Sequence, residues 1–278
     1  MTINIGFIKL GNIGTAPLVE FLLDERAERE DISSRVIGTG SRIGVPEVEE
    51  ASKKILELNP DLIVLTTPNA SLRAPKQIAE IMFKEKKPCI IISDSPAKKS
   101  LEEFEEKGVG YLIVEADSMI GARREFLDPE EMALFNADVI RVLAITGTLN
   151  AVREAIDAAI DDLKKGKKPA LPKLILNTEN AVESAGFKNP YAKSKAAAAY
   201  EIACAVAKLS VKGCFKVNEW KRYIQLVSTA HELMRTAANL ADEAREIEKY
   251  GDSILRAPHA DDGSILYKRA LIEKPKGR

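Results

Sequence analysis

The sequence predicts an α/β fold in which an N-terminal doubly wound parallel sheet is followed by a helical bundle domain and a small C-terminal β-hairpin. Three observations carry the prediction. Up to about residue 116, short Val/Ile-rich runs alternate with helical segments, the pattern of strands joined by helical crossovers. From 117 to 253 the apolar residues recur almost throughout at helical spacing. Beyond 254 the chain turns irregular, and an alternating Ile265-Leu266-Tyr267 run after Asp262-Gly263 has the form of a hairpin over a turn. The expected division is 1–116, 117–253 and 254–278, and 278 residues suffice for two domains with cores of their own.

Ile3 to Ile8 is an almost unbroken apolar run, as a central parallel strand buried on both faces requires. Lys9-Leu10-Gly11-Asn12-Ile13-Gly14-Thr15 follows and leads into a helix from about Ala16 to Arg29. Strand, glycine loop and helix in that order are the opening of a Rossmann-like fold. In the G-x-G-x-x-G frame Lys9 stands where the first glycine belongs, which sets a cation beside a helix N-terminus suited to anions. A plain tight turn at Gly11 and Gly14 is the alternative reading. The second strand, Arg35 to Ile37, ends in Gly38-Thr39-Gly40-Ser41 without the acid that takes a ribose hydroxyl, which disfavours NAD.

A helix from Pro46 to Leu58 precedes the third strand, Leu62 to Leu65, after which Thr66-Thr67-Pro68-Asn69 opens a loop. The fourth strand, Cys89 to Ile92, runs into Ser93-Asp94-Ser95-Pro96, where Ser95 with Pro96 at N1 explains a helix start. Asp94 is left over, either as a ligand acceptor at a strand's carboxyl end or as an alternative cap. Tyr111 to Val114 is the fifth strand.

Asp117 to Glu131 joins the two halves. Asp128 before Pro129, Glu130 and Glu131 reads as an N-cap with Pro at N1 and acids in the first turn. Capping does not account for Arg123 and Arg124 beside Glu125, which are expected to meet a ligand or a neighbouring subunit. Helical periodicity then runs from Glu130 to Lys165 with a break near Gly147, and Lys173 to Leu176 reads as a brief extended piece. An alanine-rich helix follows from Tyr191 to Leu209 and a long one from Asn218 to Tyr250. His231-Glu232 on the latter begins a zinc-motif pattern, but Arg235 stands where the second histidine belongs, so no metal site is expected.

A net charge of −1 excludes the basic field that nucleic acid or an anionic membrane surface demands, and no apolar run nears the ~20 residues of a bilayer span. Three cysteines without a C-x-x-C pair, each in or beside an apolar run, read as free thiols of a cytoplasmic protein.

Further motifs go beyond these readings. Ile8 to Thr15, Gly110-Tyr111, Gly121-Ala122-Arg123-Arg124-Glu125-Phe126-Leu127-Asp128-Pro129, Asn189-Pro190-Tyr191-Ala192-Lys193, His231-Glu232, Ala244 to Lys249 and Arg256-Ala257-Pro258-His259-Ala260 resemble the F420-dependent methylenetetrahydromethanopterin dehydrogenases of methanogenic and related archaea. The resemblance covers essentially the whole chain. It implies methanogenic one-carbon metabolism, with reversible hydride transfer between methylenetetrahydromethanopterin and coenzyme F420, a deazaflavin bearing a phosphate and glutamate tail. It also implies a metal-free homohexamer built as a trimer of dimers.

On that footing Lys9, Gly11, Asn12, Ile13, Gly14, Thr15, Pro68, Asn69, Asp94 and Pro96 are expected to bind the carrier. Arg123, Arg124, Glu125, Asp128, His231 and Glu232 are expected to bind the pterin, whose amino and ring N–H donors suit a carboxylate. No side chain is assigned as catalytic, because the hydride passes directly between ligands. Arg73 and Ala74 stand where the family usually has proline and glycine. Two other readings therefore stay open: an NADP-dependent dehydrogenase of the same pterin, with Arg73 or Arg42 on the 2′-phosphate, and a non-catalytic pterin or F420 carrier.

Overall fold

The apolar run at the amino terminus forms β1 (Ile3–Lys9), and the glycine loop after it leads into α1 (Thr15–Asp24). The computed structural model describes residues 2–24, 29–118, 123–126 and 128–277; Gly121, Ala122 and Leu127 of the connector motif lie outside the described residues. The next elements are β2 (Ile32–Gly38), α2 (Val45–Glu57), β3 (Leu62–Thr67), α3 (Arg73–Lys84), β4 (Cys89–Asp94), α4 (Leu101–Glu106) and β5 (Gly110–Val114). Then come α5 (Pro129–Ile145), α6 (Thr148–Lys164), β6 (Lys173–Leu176), α7 (Thr178–Ser184), α8 (Pro190–Val211) and α9 (Trp220–Tyr250). Two short strands, β7 (Leu266–Tyr267) and β8 (Lys276–Gly277), close the chain.

The sheet has six strands in the order β2-β1-β3-β4-β5-β6, one more than the sequence reading counts. The extra one is the brief extended piece at 173–176, laid along β5 by bonds from Tyr111 N–H to Pro172 O (2.7 Å) and Glu115 N–H to Leu176 O (3.2 Å). Every residue of β3, β4 and β5 is buried, which explains why these strands read as continuous apolar runs and not as alternating ones. One face packs Ile8, Ile63, Leu65, Ile91 and Ile113 against Val48, Ile55, Ile78 and Phe104 of the flanking helices.

Contacts divide the chain into two compact units. The first comprises Met1–Val114, Val152–Ile175 and Pro258–Leu266; the second comprises Glu115–Ala151, Leu176–Ala257 and Tyr267–Arg278.

In the first unit a buried ionic network ties the 258–266 segment down. The Arg29 guanidinium forks onto Asp31 with two bonds of 2.9 Å and reaches Asp157 Oδ1 at 3.2 Å. His259 Nε2 lies 2.8 Å from Asp157 Oδ2 and 3.2 Å from Arg29 Nη1. Lys164 Nζ completes the set at 3.2 Å from Asp31. Gly263 is obligatory there, since its φ is +80° and a Cβ would stand 1.9 Å from Asp31 Oδ2.

In the second unit α8 and α9 pack through small residues, with Ala192, Ala196 and Ala244 buried together. The helical run breaks at Gly147 because its φ is +106° and a Cβ would meet Ala181 O at 1.9 Å. The expected C-terminal hairpin is present over the turn at Asp262-Gly263: His259 bridges to Ile265 and Arg256 to Lys268 antiparallel, and β7 pairs further with β8.

Candidate functional site

In the first unit the strand order reverses between β1 and β3, and in such sheets ligands bind outside the carboxyl ends of the strands at that switch point. The loops leaving β1 and β3 meet there. Gly11 takes a φ of +79°, and a Cβ would lie 2.7 Å from Ile43 Cγ2 and 3.1 Å from Pro68 Cδ, so glycine alone lets the loops close. Leu10 N–H donates to Thr66 O at 2.9 Å and Gly11 N–H to Thr39 Oγ1 at 3.3 Å. The Thr39 hydroxyl also donates to Arg42 O at 2.6 Å and so fixes the edge of the loop. Ile13, Gly14 and Thr15 are buried and Asn12 is exposed.

Lys9 is not a waiting cation. Its Nζ lies 2.8 Å from Glu20 Oε2 on α1, with both side chains partly exposed, so an anion arriving at the loop competes with a carboxylate already in place. Asn69 is likewise engaged, because its Oδ1 accepts from the Ser71 amide at 3.1 Å and the Ser71 hydroxyl at 2.6 Å, a turn that leads into α3. Ser93 links the neighbouring loop to it, accepting from Ala70 N–H (3.0 Å) and donating to Thr67 O (2.7 Å).

The helix start after β4 differs by one residue from the sequence expectation. The strand runs on to Asp94, so the 3₁₀ turn Ser95–Ser100 has Asp94, and not Ser95, at its N-cap, with no side-chain capping bond. Asp94 is 4% exposed at the strand's carboxyl end. The hydroxyls of Thr66 and Thr67, on the last two residues of β3, are buried without a protein hydrogen bond. Buried hydroxyls are seldom left so, and two at a switch point suit a polar ligand.

The second unit gathers several of the expected pterin residues along one face of α9. Asp128 caps α5 as its sequence demands, accepting from Glu130 N–H (3.0 Å) and Glu131 N–H (3.1 Å), and these bonds hold its carboxyl below the usual range. That cap places Glu131 in the first turn, 3.1 Å from His231 Nδ1 and 3.4 Å from Arg235. His231 stacks on Phe135 at 4.2 Å and meets Phe126 edge-on at 4.8 Å. Burial holds its pKa below the ordinary imidazole value, which favours the neutral ring beside the carboxylate.

Glu232 is exposed, because adjacent helical residues point about 100° apart. The partner of His231 is therefore Glu131, and nothing in the local sequence distinguishes that acid from Glu130.

Arg123 donates to Val217 O at 3.2 Å and lies over the Tyr223 ring, 4.6 Å from its centroid. The neighbouring Tyr223 phenol and the Glu125 backbone hold the Glu125 carboxyl below the usual range, with smaller contributions from the two arginines. Arg124 is exposed.

Cys89 is buried and its thiol is pushed up to about 12, which makes it inert. Among the described residues no group of three or more His, Cys, Asp or Glu is placed to hold a metal ion, and no single helix is long and apolar enough to cross a membrane.

The profile of the methylene-5,6,7,8-tetrahydromethanopterin dehydrogenase family matches residues 3–276. The chain is 55% identical over 276 residues to the F420-dependent methylenetetrahydromethanopterin dehydrogenase of Archaeoglobus fulgidus, covering 99% of this chain and 100% of the relative. It is 51% identical to the enzyme of that name from Methanocaldococcus jannaschii, again over 99% of this chain and 100% of the relative. A solved F420-dependent methylene-tetrahydromethanopterin dehydrogenase, in complex with methylene-tetrahydromethanopterin and coenzyme F420, superposes with a TM-score of 0.96 at 46% identity, covering 99% of this chain and 100% of that one.

Proposed function

The chain belongs to the methylene-5,6,7,8-tetrahydromethanopterin dehydrogenase family, and from that membership we infer that it transfers a hydride reversibly between 5,10-methylenetetrahydromethanopterin and coenzyme F420, giving the methenyl pterin and reduced F420. The observation that carries this is the end-to-end correspondence with a relative solved with both molecules bound. F420 supplies the hydride chemistry; the chain's part is to hold two ring systems face to face and keep water out. A switch-point crevice without a ribose acid, and with two unpartnered threonine hydroxyls, fits a carrier that is not a dinucleotide.

In this reading Lys9, Gly11, Asn12, Ile13, Gly14, Thr15, Pro68, Asn69, Asp94 and Pro96 line the carrier's place, joined by Thr66 and Thr67. Glu125 accepts from the pterin's amino and ring N–H groups, Arg123 and His231 shape the surroundings, and Asp128 contributes chiefly by placing Glu131. Arg124 and Glu232 contribute only as exposed charges. The assembly is taken as a homohexamer, which exposed Phe215, before α9, and Trp220, the first residue of α9, support, and the location as cytoplasmic.

Side-by-side assays of methylenetetrahydromethanopterin with F420, NAD and NADP test the reading. Reduction of F420 alone is expected. Turnover with NADP alone overturns the carrier and turns attention to Arg73, and tight binding without turnover to any carrier overturns the enzyme.

A further inference from the structure

The motif from Arg256 to Ala260 has no part in the proposed reaction, yet the side chain of His259 within it is 1% exposed and bonded to charged groups. It lies at the amino end of the sheet, since Asp31 directly precedes β2 and Ile32 pairs with Ile3 at the start of β1. Its Nε2 is 2.8 Å from Asp157 Oδ2 and 3.2 Å from Arg29 Nη1. A guanidinium only donates, so Nε2 cannot give a proton to Asp157 and accept one from Arg29 at once. The shorter contact decides between them. A bare nitrogen at 2.8 Å would set its lone pair against those of the carboxylate, so Nε2 carries the hydrogen, and Arg29 Nη1 donates to Asp157 Oδ1 at 3.2 Å. A further proton can enter only at Nδ1, and it creates an imidazolium whose Nε2 is 3.2 Å from a guanidinium nitrogen.

The charges around the ring are already matched. Arg29 and Asp31 come from the stretch before β2, and Asp157 and Lys164 from α6. Arg153, one turn earlier on α6, has Glu154 at 3.8 Å, and Asp261 and Asp262 of the segment itself are exposed. The segment is held besides by Glu30 N–H on Asp261 O at 2.9 Å and by Lys164 Nζ on Asp262 O. We propose that residues 258–266 form a proton-operated strap, docked while His259 is neutral and released when its Nδ1 takes up a proton. The added charge has no counter-ion left to it, and the Arg29 and Asp157 side chains around it are 4% and 9% exposed, so water does not screen it. In the released segment the imidazolium is hydrated. The released state binds a proton that the docked state refuses, so falling pH favours release about tenfold per unit.

The test is backbone hydrogen exchange of the full-length protein, read by mass spectrometry from about pH 8 to 5.5 and corrected for the intrinsic pH dependence of exchange. Peptides covering 258–266 are expected to lose protection about tenfold per pH unit below the ordinary imidazole range near 6.5, while those of β1, β3 and β4 keep theirs. His259→Gln keeps an N–H donor for Asp157 but takes up no proton, and its 258–266 segment is expected to hold constant protection across the range. Deuteration of the imidazole C2, whose rate follows ring protonation, reads His259 apart from His231, the other histidine of the chain, and requires no substitution. Protonation of His259 is expected to coincide with release.

Protection of 258–266 that is unchanged or greater at the acid end overturns the proposal. So does an equal pH response in His259→Gln, which assigns the release to the carboxylates, and so does a simultaneous loss across the sheet, which marks global unfolding. If His259→Gln does not fold, the C2 measurement decides: a ring that takes up its proton while the 258–266 amides stay protected removes the strap.

Discussion

Asp31→Asn strikes the ionic network of the first unit at its centre. Asp31 is 7% exposed and accepts from Arg29 at 2.9 Å and Lys164 at 3.2 Å. Arg29 and Lys164 are balanced there by Asp31 and Asp157, with His259 bonded to Asp157. The amide keeps the shape but leaves one buried positive charge in excess, and it turns an N–H₂ toward a group that only donates. Removing one partner of a buried pair costs about 3–5 kcal/mol. At 2–4 °C per kcal/mol for a protein of this size, the melting temperature falls by roughly 6–20 °C. Calorimetry at neutral pH measures it.

The pH dependence gives a second reading of the same substitution. Burial pushes the Asp31 carboxyl up, but Arg29 and Lys164 outweigh it and leave the pKa below the ordinary carboxylate range. A carboxyl depressed on folding contributes stability that is full above its unfolded pKa and is lost as pH falls through the folded one. The deficit of Asp31→Asn against the parent is therefore constant near neutrality and shrinks below about pH 4. A melting temperature within about 2 °C of the parent at pH 7, equivalent to less than about 1 kcal/mol, refutes the reasoning. A deficit that persists undiminished at low pH assigns the loss to packing and not to charge.

Two further predictions concern the loops and the connector. Lys9→Ala is expected to raise the F420 KM about tenfold, a charge-assisted contact shared with solvent and Glu20, whereas Glu20→Gln, which frees the ammonium, lowers it a few-fold. Equal losses in both variants make the pair structural only. Asp128→Ala removes the acceptor for Glu130 and Glu131 N–H and is expected to cost about 1 kcal/mol in urea unfolding, most of it restored by Asp128→Asn; an Ala variant as stable as the parent contradicts the cap.

The sequence by itself determined whatever is written in consecutive residues. The buried strands β3 to β5 and the cap at Asp128 are each set by neighbours within a turn or a strand, and glycine itself marked the loop after β1 and the break at Gly147, although distant residues demand it at both. Asn189 belongs with them, since its side chain accepts from Tyr191 and Ala192 amides just as a cap before Pro190 should. The family, too, was legible, because its motifs are short runs spread along the whole chain.

Tertiary structure decided which charges meet. Glu131 and not Glu232 faces His231, a hundred residues away in sequence, because α5 brings its first turn to the buried side of α9 while Glu232 turns outward. Tyr223 and not an arginine chiefly lowers the Glu125 carboxyl, and Glu20 meets Lys9 across the loop. The sixth strand and the Arg29–Asp157–His259 contacts are of the same kind, with partners up to 230 positions apart. Periodicity reports which face of an element is buried, and capping reports where it begins. Neither records what stands opposite, which is fixed only when the elements pack and each buried charge must find its partner.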